Sequence, residues 1–305
     1  MIDDDSRGIA NRFTKPISGR LNQPNGPILP SNSPQGLFPP SKLYNGKPAI
    51  QTLRGIDVPD KLGFTDKSGG KHIGERVFDA ELNRDAKTIT LIVRLKFEFV
   101  DQHKTYTDKD KPYFGEVVKS WKDQQERQNK FIRDFLKVVS ERWSYKHRVY
   151  PAGPTTEPVP WFITVVRAES VSNTEHKVVK VHFDHDREIS QGSFMEIVSR
   201  ASMYDHNIIV SESDVNIIPV TNVLINGRKE KTYNYCIAAH EFGHAIGIEH
   251  INQKDAEKNP NINPYGETLV QQRDTMGVGS QVSVEDYWPF LVAMYYFTGS
   301  RWEAK

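Results

Sequence analysis

Residues 240–250 read HEFGHAIGIEH, and this stretch decides both the fold and the chemistry that we expect of the chain. His240 and His244 are four residues apart, so on a helix both imidazoles project from one face, about one turn from each other. Glu241 follows the first histidine, where a carboxylate can reach a metal-bound water without itself being a ligand. The first half of the stretch therefore predicts two metal ligands and a general base.

The second half of the stretch supplies a third histidine. Gly247 tolerates the positive φ that ends a helix sharply, so the chain can turn back and bring His250 toward the other two imidazoles. Three imidazoles leave one position of a tetrahedral zinc ion open for water, which distinguishes a catalytic zinc site from a closed structural one. We therefore predict one catalytic Zn²⁺, with His240, His244 and His250 as its ligands.

The residues around this stretch favour a buried helix. Asn234 is a good N-cap residue, and Ile237, Phe242 and Ile246 provide apolar flanks. Burying three histidines and an acid without a metal would be unfavourable, so the context supports a metal site rather than an ordinary core helix.

The eleven residues resemble the metzincin signature HExxHxxGxxH, and the resemblance extends to Met276, which lies 26 residues after His250 in the sequence DTMGVGS. It implies a zinc endopeptidase with a mixed sheet and a long backing helix, an active-site helix, a Met-containing turn beneath the metal and a C-terminal helix. The candidate for the last helix is VSVEDYWPFLVAMYYF, residues 282–297.

Two positions depart from the well-known branches of that family. Ile251 follows the third histidine, where those branches carry Glu, Ser, Asp or Pro, so the sequence assigns no branch. Val278 stands two residues after Met276, where astacin-like and serralysin-like members carry a tyrosine, so no tyrosine role carries over there. Tyr265 and Tyr287 are the other candidates for stabilising an oxyanion, and the sequence does not choose between them.

The hydrophobic pattern outside the motif predicts an α/β or α+β fold with helices packed on a mixed sheet. Residues 87–100, KTITLIVRLKFEFV, alternate as a strand does, and residues 115–146 follow a broadly helical pattern. For residues 50–85 the pattern makes no firm prediction. Further strands are predicted at WFITVV, KVVKVHF and NIIV, a short helix at 194–203, and a hairpin around Asn226-Gly227.

Composition divides the chain into two parts. Residues 1–48 hold 8 of the 18 prolines and cannot bury enough apolar surface to fold alone, so we expect a flexible Pro/Gly/Asn-rich N-terminal arm. Residues 49–305 are expected to form the metzincin-like catalytic domain. The arm is either a linker without a partner or a segment that contacts a secretion apparatus.

The overall composition excludes several classes of protein. The chain is 37% hydrophobic, and 40 basic against 39 acidic residues give a net charge of +1, which leaves no field to hold nucleic acid. Its single cysteine forms no disulfide within the chain, and no apolar run is long enough for membrane insertion. Because the first residues lack a signal-peptide pattern, we expect a soluble protein that is cytoplasmic or exported by a dedicated, non-classical system.

Two weaker signals have a functional and an ordinary interpretation. Cys236 lies four residues before His240, so its thiol is either a redox-sensitive metal ligand or, as we favour, a small buried residue. The segment VHFDHD could bind a second ion or simply be polar surface, and we favour surface. Its candidate ligands are His182, Asp184, His185 and Asp186.

These observations predict a zinc-dependent endopeptidase that hydrolyses peptide bonds through a zinc-activated water with Glu241 as general base. The resemblance implies a protein or peptide substrate extended along a sheet edge, for which residues 207–213 are one option. One alternative is a zinc hydrolase of cell-wall peptide amides, and another is a catalytically silent, zinc-containing binding module. Delivery as a secreted effector or toxin is a hypothesis about its biological role.

Overall fold

The computed structural model of the chain describes residues 43–58, 74–108, 111–183, 207–220, 224–225, 228–229 and 233–305. The first 42 residues of the predicted arm, the predicted helix at 194–203, and residues 184–186 of the VHFDHD segment lie outside the described residues.

Sixteen strands occur in the described part of the chain. They are β1 (Leu43–Tyr44), β2 (Lys47–Pro48), β3 (Ile50–Val58), β4 (Gly74–Asn83), β5 (Thr88–Val100), β6 (Gln102–Asp108), β7 (Lys111–Lys119), β8 (Arg148–Pro151), β9 (Phe162–Ser170), β10 (Lys177–His182), β11 (Asn207–Ser211), β12 (Ile218–Val220), β13 (Leu224–Ile225), β14 (Arg228–Lys229), β15 (Tyr233–Tyr235) and β16 (Trp302–Ala304).

Five α-helices occur in the same residues, with 3₁₀ turns at Glu212–Val215 and Glu285–Tyr287. The helices are α1 (Gln125–Trp143), α2 (Ile237–Ala245), α3 (Gln253–Lys258), α4 (Leu269–Gln272) and α5 (Trp288–Thr298). None of these helices is long and apolar enough to cross a membrane.

An eight-stranded mixed sheet organises the domain around β5. Strand β5 pairs in parallel with β9 through its first half and with β10 through its second half, and antiparallel with β4. The successive residues Ile89 to Val93 are all buried, so both faces of this strand are covered. The predicted strand at 87–100 is confirmed, but its centre is buried on two sides rather than one.

Helix α1 packs against β9 and α2 through one stripe of side chains. The stripe consists of Phe131, Phe135, Val139 and Trp143, spaced four residues apart as one helical face requires. Helix α1 is the long backing helix that the metzincin resemblance implies.

The predicted start of that helix, at residue 115, is wrong. Residues 111–119 instead form β7, which pairs with β6 as a hairpin. The Asp101 carboxylate accepts hydrogen bonds from the Trp121 backbone N–H (2.7 Å) and the Ser120 hydroxyl (3.0 Å), and Asp123 has a φ of 64°. This turn separates β7 from α1. The sequence pattern could not predict it, because neither the contact with Asp101 nor the pairing of β7 with β6 affects the spacing of hydrophobic residues.

The region without a firm prediction contains two long strands. Strands β3 and β4 pair antiparallel with irregular register, and β4 continues into the sheet through β5. Strands β13 and β14 pair antiparallel on either side of Asn226-Gly227, where the sequence predicts a hairpin. The dipeptide itself lies outside the described residues.

The C-terminal half follows the predicted order of elements. Helix α2 is followed by a turn containing Met276 and then by α5, which begins at Trp288 rather than near residue 282 and packs against β3 and β5. The predicted fold class, a mixed sheet with a long backing helix, an active-site helix, a Met-containing turn and a C-terminal helix, is confirmed.

Candidate metal centre

The histidine motif begins on α2, whose nine residues are all buried. Its N-cap is Cys236, not Asn234 as predicted, because Asn234 lies in β15 and pairs with Pro219 of β12. Strand β15 therefore continues to Tyr235, and the helix begins directly after the N-cap residue Cys236. At the other end, Gly247 has a φ of 97° and its N–H donates to the carbonyl oxygen of His244 at 2.8 Å. The predicted glycine turn is present and redirects the chain toward His250.

The three histidines of the motif meet at one point. The Nε2 atom of His244 lies 3.2 Å from Nε2 of His240 and 3.0 Å from Nε2 of His250. One nitrogen from each ring lies within 4.8 Å of the others, and in the described part of the chain this is the one such cluster of candidate ligand residues. The structure thus brings together all three predicted ligands.

The second nitrogen of each ring shows which tautomer is present. Nδ1 of His240 contacts the carbonyl oxygen of Thr275, and Nδ1 of His244 contacts that of Ile248, both at 2.7 Å. Nδ1 of His250 lies 3.0 Å from Oε1 of Gln253. Because these oxygens only accept hydrogen bonds, each Nδ1 must carry the proton and each Nε2 must present a lone pair.

Three converging lone pairs cannot hydrogen-bond to one another, and a cation bound between them would satisfy all three. A tetrahedral zinc ion bound at about 2.0–2.1 Å separates its ligand nitrogens by about 3.3 Å, close to the distances observed. Imidazoles whose Nδ1–H groups are held by carbonyl oxygens are the usual protein ligands of such an ion. The residues present therefore fit zinc.

Burial keeps the imidazoles in the neutral form that binds metals. Desolvation, followed by the charge of His250, lowers the pKa of His240 to about 3. Desolvation also lowers the pKa of His244 well below its ordinary value, and lowers that of His250. Protons consequently compete weakly for these three nitrogens at neutral pH.

Glu241 lies beside the cluster and is 4% exposed. Its Oε1 is 4.0 Å from Nε2 of His240. Burial, and secondarily the negative charge of Asp214, raises the pKa of Glu241 to about 8. The motif predicts a proton-accepting carboxylate at this position, and the structure places the Glu241 side chain next to His240.

Asp214 is a site-associated residue that sequence reasoning missed. It is buried in the 3₁₀ turn after β11, where its Oδ2 accepts from the Ser211 N–H at 2.7 Å. The pattern Ser-x-x-Asp at residues 211–214 is a capping-box signal that could have marked the turn. Nothing in the local sequence connects that turn to Glu241.

Met276 is buried directly beneath α2. A Cβ atom built on Gly243 would overlap the Sδ of Met276 and lie 2.7 Å from Cζ2 of Trp143, so the helix, the methionine and α1 meet at this glycine. The Met276 N–H donates to Oδ1 of Asp274 at 2.7 Å, which fixes the turn. The preceding residue, Thr275, supplies the carbonyl that holds His240.

The two tyrosines considered for oxyanion stabilisation lie in different environments. The ring of Tyr265 is 4.3 Å from the ring of His250 and 5.9 Å from that of His240, between ring centroids. The Tyr287 hydroxyl donates to the Trp143 carbonyl at 3.2 Å, and its ring stacks on Phe290 in the core. Tyr265 alone of this pair borders the cluster.

The remaining predicted features, Cys236, His182 and residues 207–213, do not contribute a ligand to the histidine cluster. The Cys236 thiol is buried, its Sγ donates to the Asp214 carbonyl at 3.4 Å, and burial raises its pKa, which favours the small buried residue over the reactive ligand. His182 ends β10 and does not belong to the cluster of three histidines. Residues 207–213 span β11 and the start of the 3₁₀ turn, and among the described strands β11 pairs with β10 alone.

Comparison with known families matches residues 164–281 to the peptidase M10 model, described as Matrixin. The match runs from within β9 to the end of the Met-containing turn and includes the whole histidine motif. It confirms the resemblance to metzincins and supports zinc metallopeptidase activity at a general level. No curated protein and no solved structure shows a significant match.

Proposed function

We propose that the chain is a zinc-dependent endopeptidase of metzincin type. His240, His244 and His250 are the zinc ligands, Glu241 is the general base, and Met276 supports the site from below. The observation that carries this proposal is the convergence of three imidazole lone pairs, with Nε2 separations of 3.0 and 3.2 Å. The matrixin match supports peptide-bond hydrolysis as the reaction class.

The chain's own residues divide the chemistry between binding and proton transfer. His240, His244 and His250 would hold the zinc ion, which when bound would supply the Lewis acidity that acidifies water and polarises a peptide carbonyl. Glu241 accepts the proton of the attacking water and returns it to the leaving amine nitrogen. Its buried position beside His240 shields that proton from bulk solvent. The Met-containing turn holds His240 through Thr275 and so keeps its Nε2 directed toward the other two histidines.

The peptidase match supports a protein or peptide as the substrate. A protein or peptide chain, extended along the sheet edge next to the cluster, pairs through backbone hydrogen bonds. β11 is one such edge. A hydrolase of cell-wall peptide amides and a catalytically silent zinc module remain the two rivals, and substrate cleavage distinguishes all three.

We also propose the division into an arm, residues 1–48, whose last residues pair as β1 and β2, and a catalytic domain, residues 49–305. The proline content of the arm supports it. Limited proteolysis should cut within the arm first and leave a resistant fragment that retains zinc. If the arm serves export by a secretion apparatus as an effector or toxin, the full chain should appear outside the producing cell, and strict retention inside would contradict this.

The test of the enzymatic proposal combines zinc content with cleavage of casein, an unfolded protein substrate. Glu241→Gln preserves the size of the side chain but removes the proton acceptor, and Glu126→Gln, an exposed acid on α1, is the matched control. We expect one zinc per chain in all three proteins and cleavage by the wild type and the control only. Cleavage by Glu241→Gln at the wild-type rate would exclude Glu241 as the general base. Zinc in all three without cleavage, but with hydrolysis of cell-wall peptides, would favour that rival.

A further inference from the structure

The three histidines of the cluster are not held in the same way. His240 and His244 donate from Nδ1 to backbone carbonyls at 2.7 Å, that of Thr275 in the Met-containing turn and that of Ile248 just after the Gly247 turn. His250 donates instead to a side chain, the Oε1 of Gln253 at 3.0 Å. The third ligand therefore depends on one amide group that a substitution can remove.

The orientation of that amide is determined by a second contact. Nε2 of Gln253 donates to Oε1 of Glu257 at 3.1 Å, one turn further along α3. A carboxylate only accepts hydrogen bonds, so the amide NH₂ group faces Glu257 and the amide oxygen faces His250. The relay from Glu257 through Gln253 thus imposes the Nδ1–H tautomer on His250 and leaves its Nε2 lone pair toward the cluster.

The backbone before Gln253 is anchored independently of this relay. The Asn252 N–H donates to the Pro264 carbonyl at 2.9 Å, and its side-chain oxygen accepts from Nε2 of Gln271 at 2.6 Å. The Tyr265 ring packs on His250 at 4.3 Å. Because other contacts hold the start of α3, replacing the Gln253 amide should change His250 more than it changes the fold.

We propose that Gln253 is a positioning residue that sets the zinc affinity of the site through the tautomer and orientation of His250. The inference rests on the proposed zinc site and deepens it. Groups that hold the second nitrogen of a histidine ligand typically contribute 10- to 100-fold to metal affinity. A residue with only a packing role would tolerate any side chain of similar shape.

Two variants of similar size distinguish positioning from packing. Gln253→Met retains the length of the side chain but offers no good acceptor to Nδ1–H, whereas Gln253→Glu retains an acceptor and gives it charge. Lys258→Met, at the exposed end of the same helix, is the control. Zinc affinity is measured on the full chain by competition with a chromophoric chelator, and urea unfolding verifies that each variant is folded.

We expect Gln253→Met to bind zinc roughly 10- to 100-fold more weakly, and Gln253→Glu and Lys258→Met to remain within about threefold of the wild type. Equal affinities for a folded Gln253→Met and the wild type would overturn the inference while leaving the zinc site intact. If the wild type itself binds no zinc, the proposed function fails.

A second readout tests the tautomer without metal. Long-range ¹H–¹⁵N NMR of the zinc-free chain should show His250 with its proton on Nδ1 in the wild type and in Gln253→Glu. Gln253→Met should show a mixture of the two tautomers. An unchanged Nδ1–H tautomer in Gln253→Met would contradict the relay even if the variant lost affinity for another reason.

Discussion

The indole Nε1 of Trp143 donates a 2.9 Å hydrogen bond to the carbonyl oxygen of Ala239, one residue before the first histidine of the cluster. Trp143 is the last residue of α1, and its ring also lies against Gly243. The backing helix is thereby fixed to the active-site helix by a directional contact as well as by packing. This contact joins the helix that carries His240 and His244 to the helix that packs on β9 of the sheet.

Trp143→Phe should destabilise the fold. The substitution removes the hydrogen bond to Ala239 and leaves a cavity beside Gly243, so we expect a loss of roughly 2 to 4 kcal/mol in the free energy of unfolding, measured in urea. Tyr145→Phe, two residues later and 70% exposed, is the control and should change stability by less than about 0.5 kcal/mol. Equal stability of the Trp143→Phe variant and the wild type would contradict the importance of this contact.

Gly243→Ala should be destabilising although alanine favours helices. The added methyl group would overlap Met276 and approach Trp143, and such overpacking typically costs about 1 to 3 kcal/mol. Gly153→Ala is the control, because nothing lies within 4 Å of the position of its Cβ. Gly243→Ala combined with Met276→Ala should lose less stability than the sum of the two single losses, because the overlap with the Met276 side chain disappears in the double variant. Strict additivity of the two substitutions would show that they do not interact.

Asp286→Asn should flatten the dependence of stability on pH. Asp274 and Asp286 are buried together and both contact the Ser283 N–H, at 3.2 and 3.0 Å. Burial raises the pKa of both carboxyls, and the charge of Asp274 raises that of Asp286 further, so the pair retains a proton.

The sign of this effect follows from proton linkage. Unfolded aspartates titrate near pH 3.9, so above about pH 4 the folded state binds more protons than the unfolded state and loses stability as the pH rises toward the raised values. We expect the free energy of unfolding of the wild type to fall more steeply over this range than that of Asp286→Asn. Asp255→Asn, an exposed acid, should behave as the wild type does. If the free energy of unfolding changed with pH equally in Asp286→Asn and the wild type, the proton retained by Asp274 and Asp286 would be contradicted.

Tyr265 should act on the site through its ring. Tyr265→Phe retains the contact with His250 and should keep the zinc affinity within about threefold, whereas Tyr265→Leu should weaken it more, since a flat ring is lost from beside the ligand. Tyr296→Leu on α5 is the control for loss of a tyrosine. Equal weakening by Phe and Leu would contradict a ring-based role. A fall in kcat for Tyr265→Phe at unchanged zinc content would instead assign the hydroxyl to the reaction.

The features that could be predicted from the sequence depend on residues that are close together in the chain. Four-residue separation on a helix and a glycine turn are local properties, so the cluster of His240, His244 and His250 could be predicted from the sequence. The alternation in residues 87–100 revealed the central strand for the same reason. The order of elements around the motif then followed from the metzincin resemblance.

The remaining features depend on partners distant in sequence. The end of β7 before α1 is determined by the Asp101 carboxylate, and the hairpin pairing that makes residues 111–119 a strand has no periodic signature. Asp214 approaches Glu241 only because the sheet brings the turn after β11 behind α2. The amide of Gln253 acquires a role only when His250 turns toward it.

X-ray absorption at the zinc edge, on the purified wild-type chain, tests the central claim most directly. We expect one zinc per chain with three imidazole nitrogens at about 2.0–2.1 Å and one further light-atom ligand. Sulfur at about 2.3 Å, which would place the thiol of Cys236 in the shell, would contradict it. A chain that retains no zinc would contradict it as well.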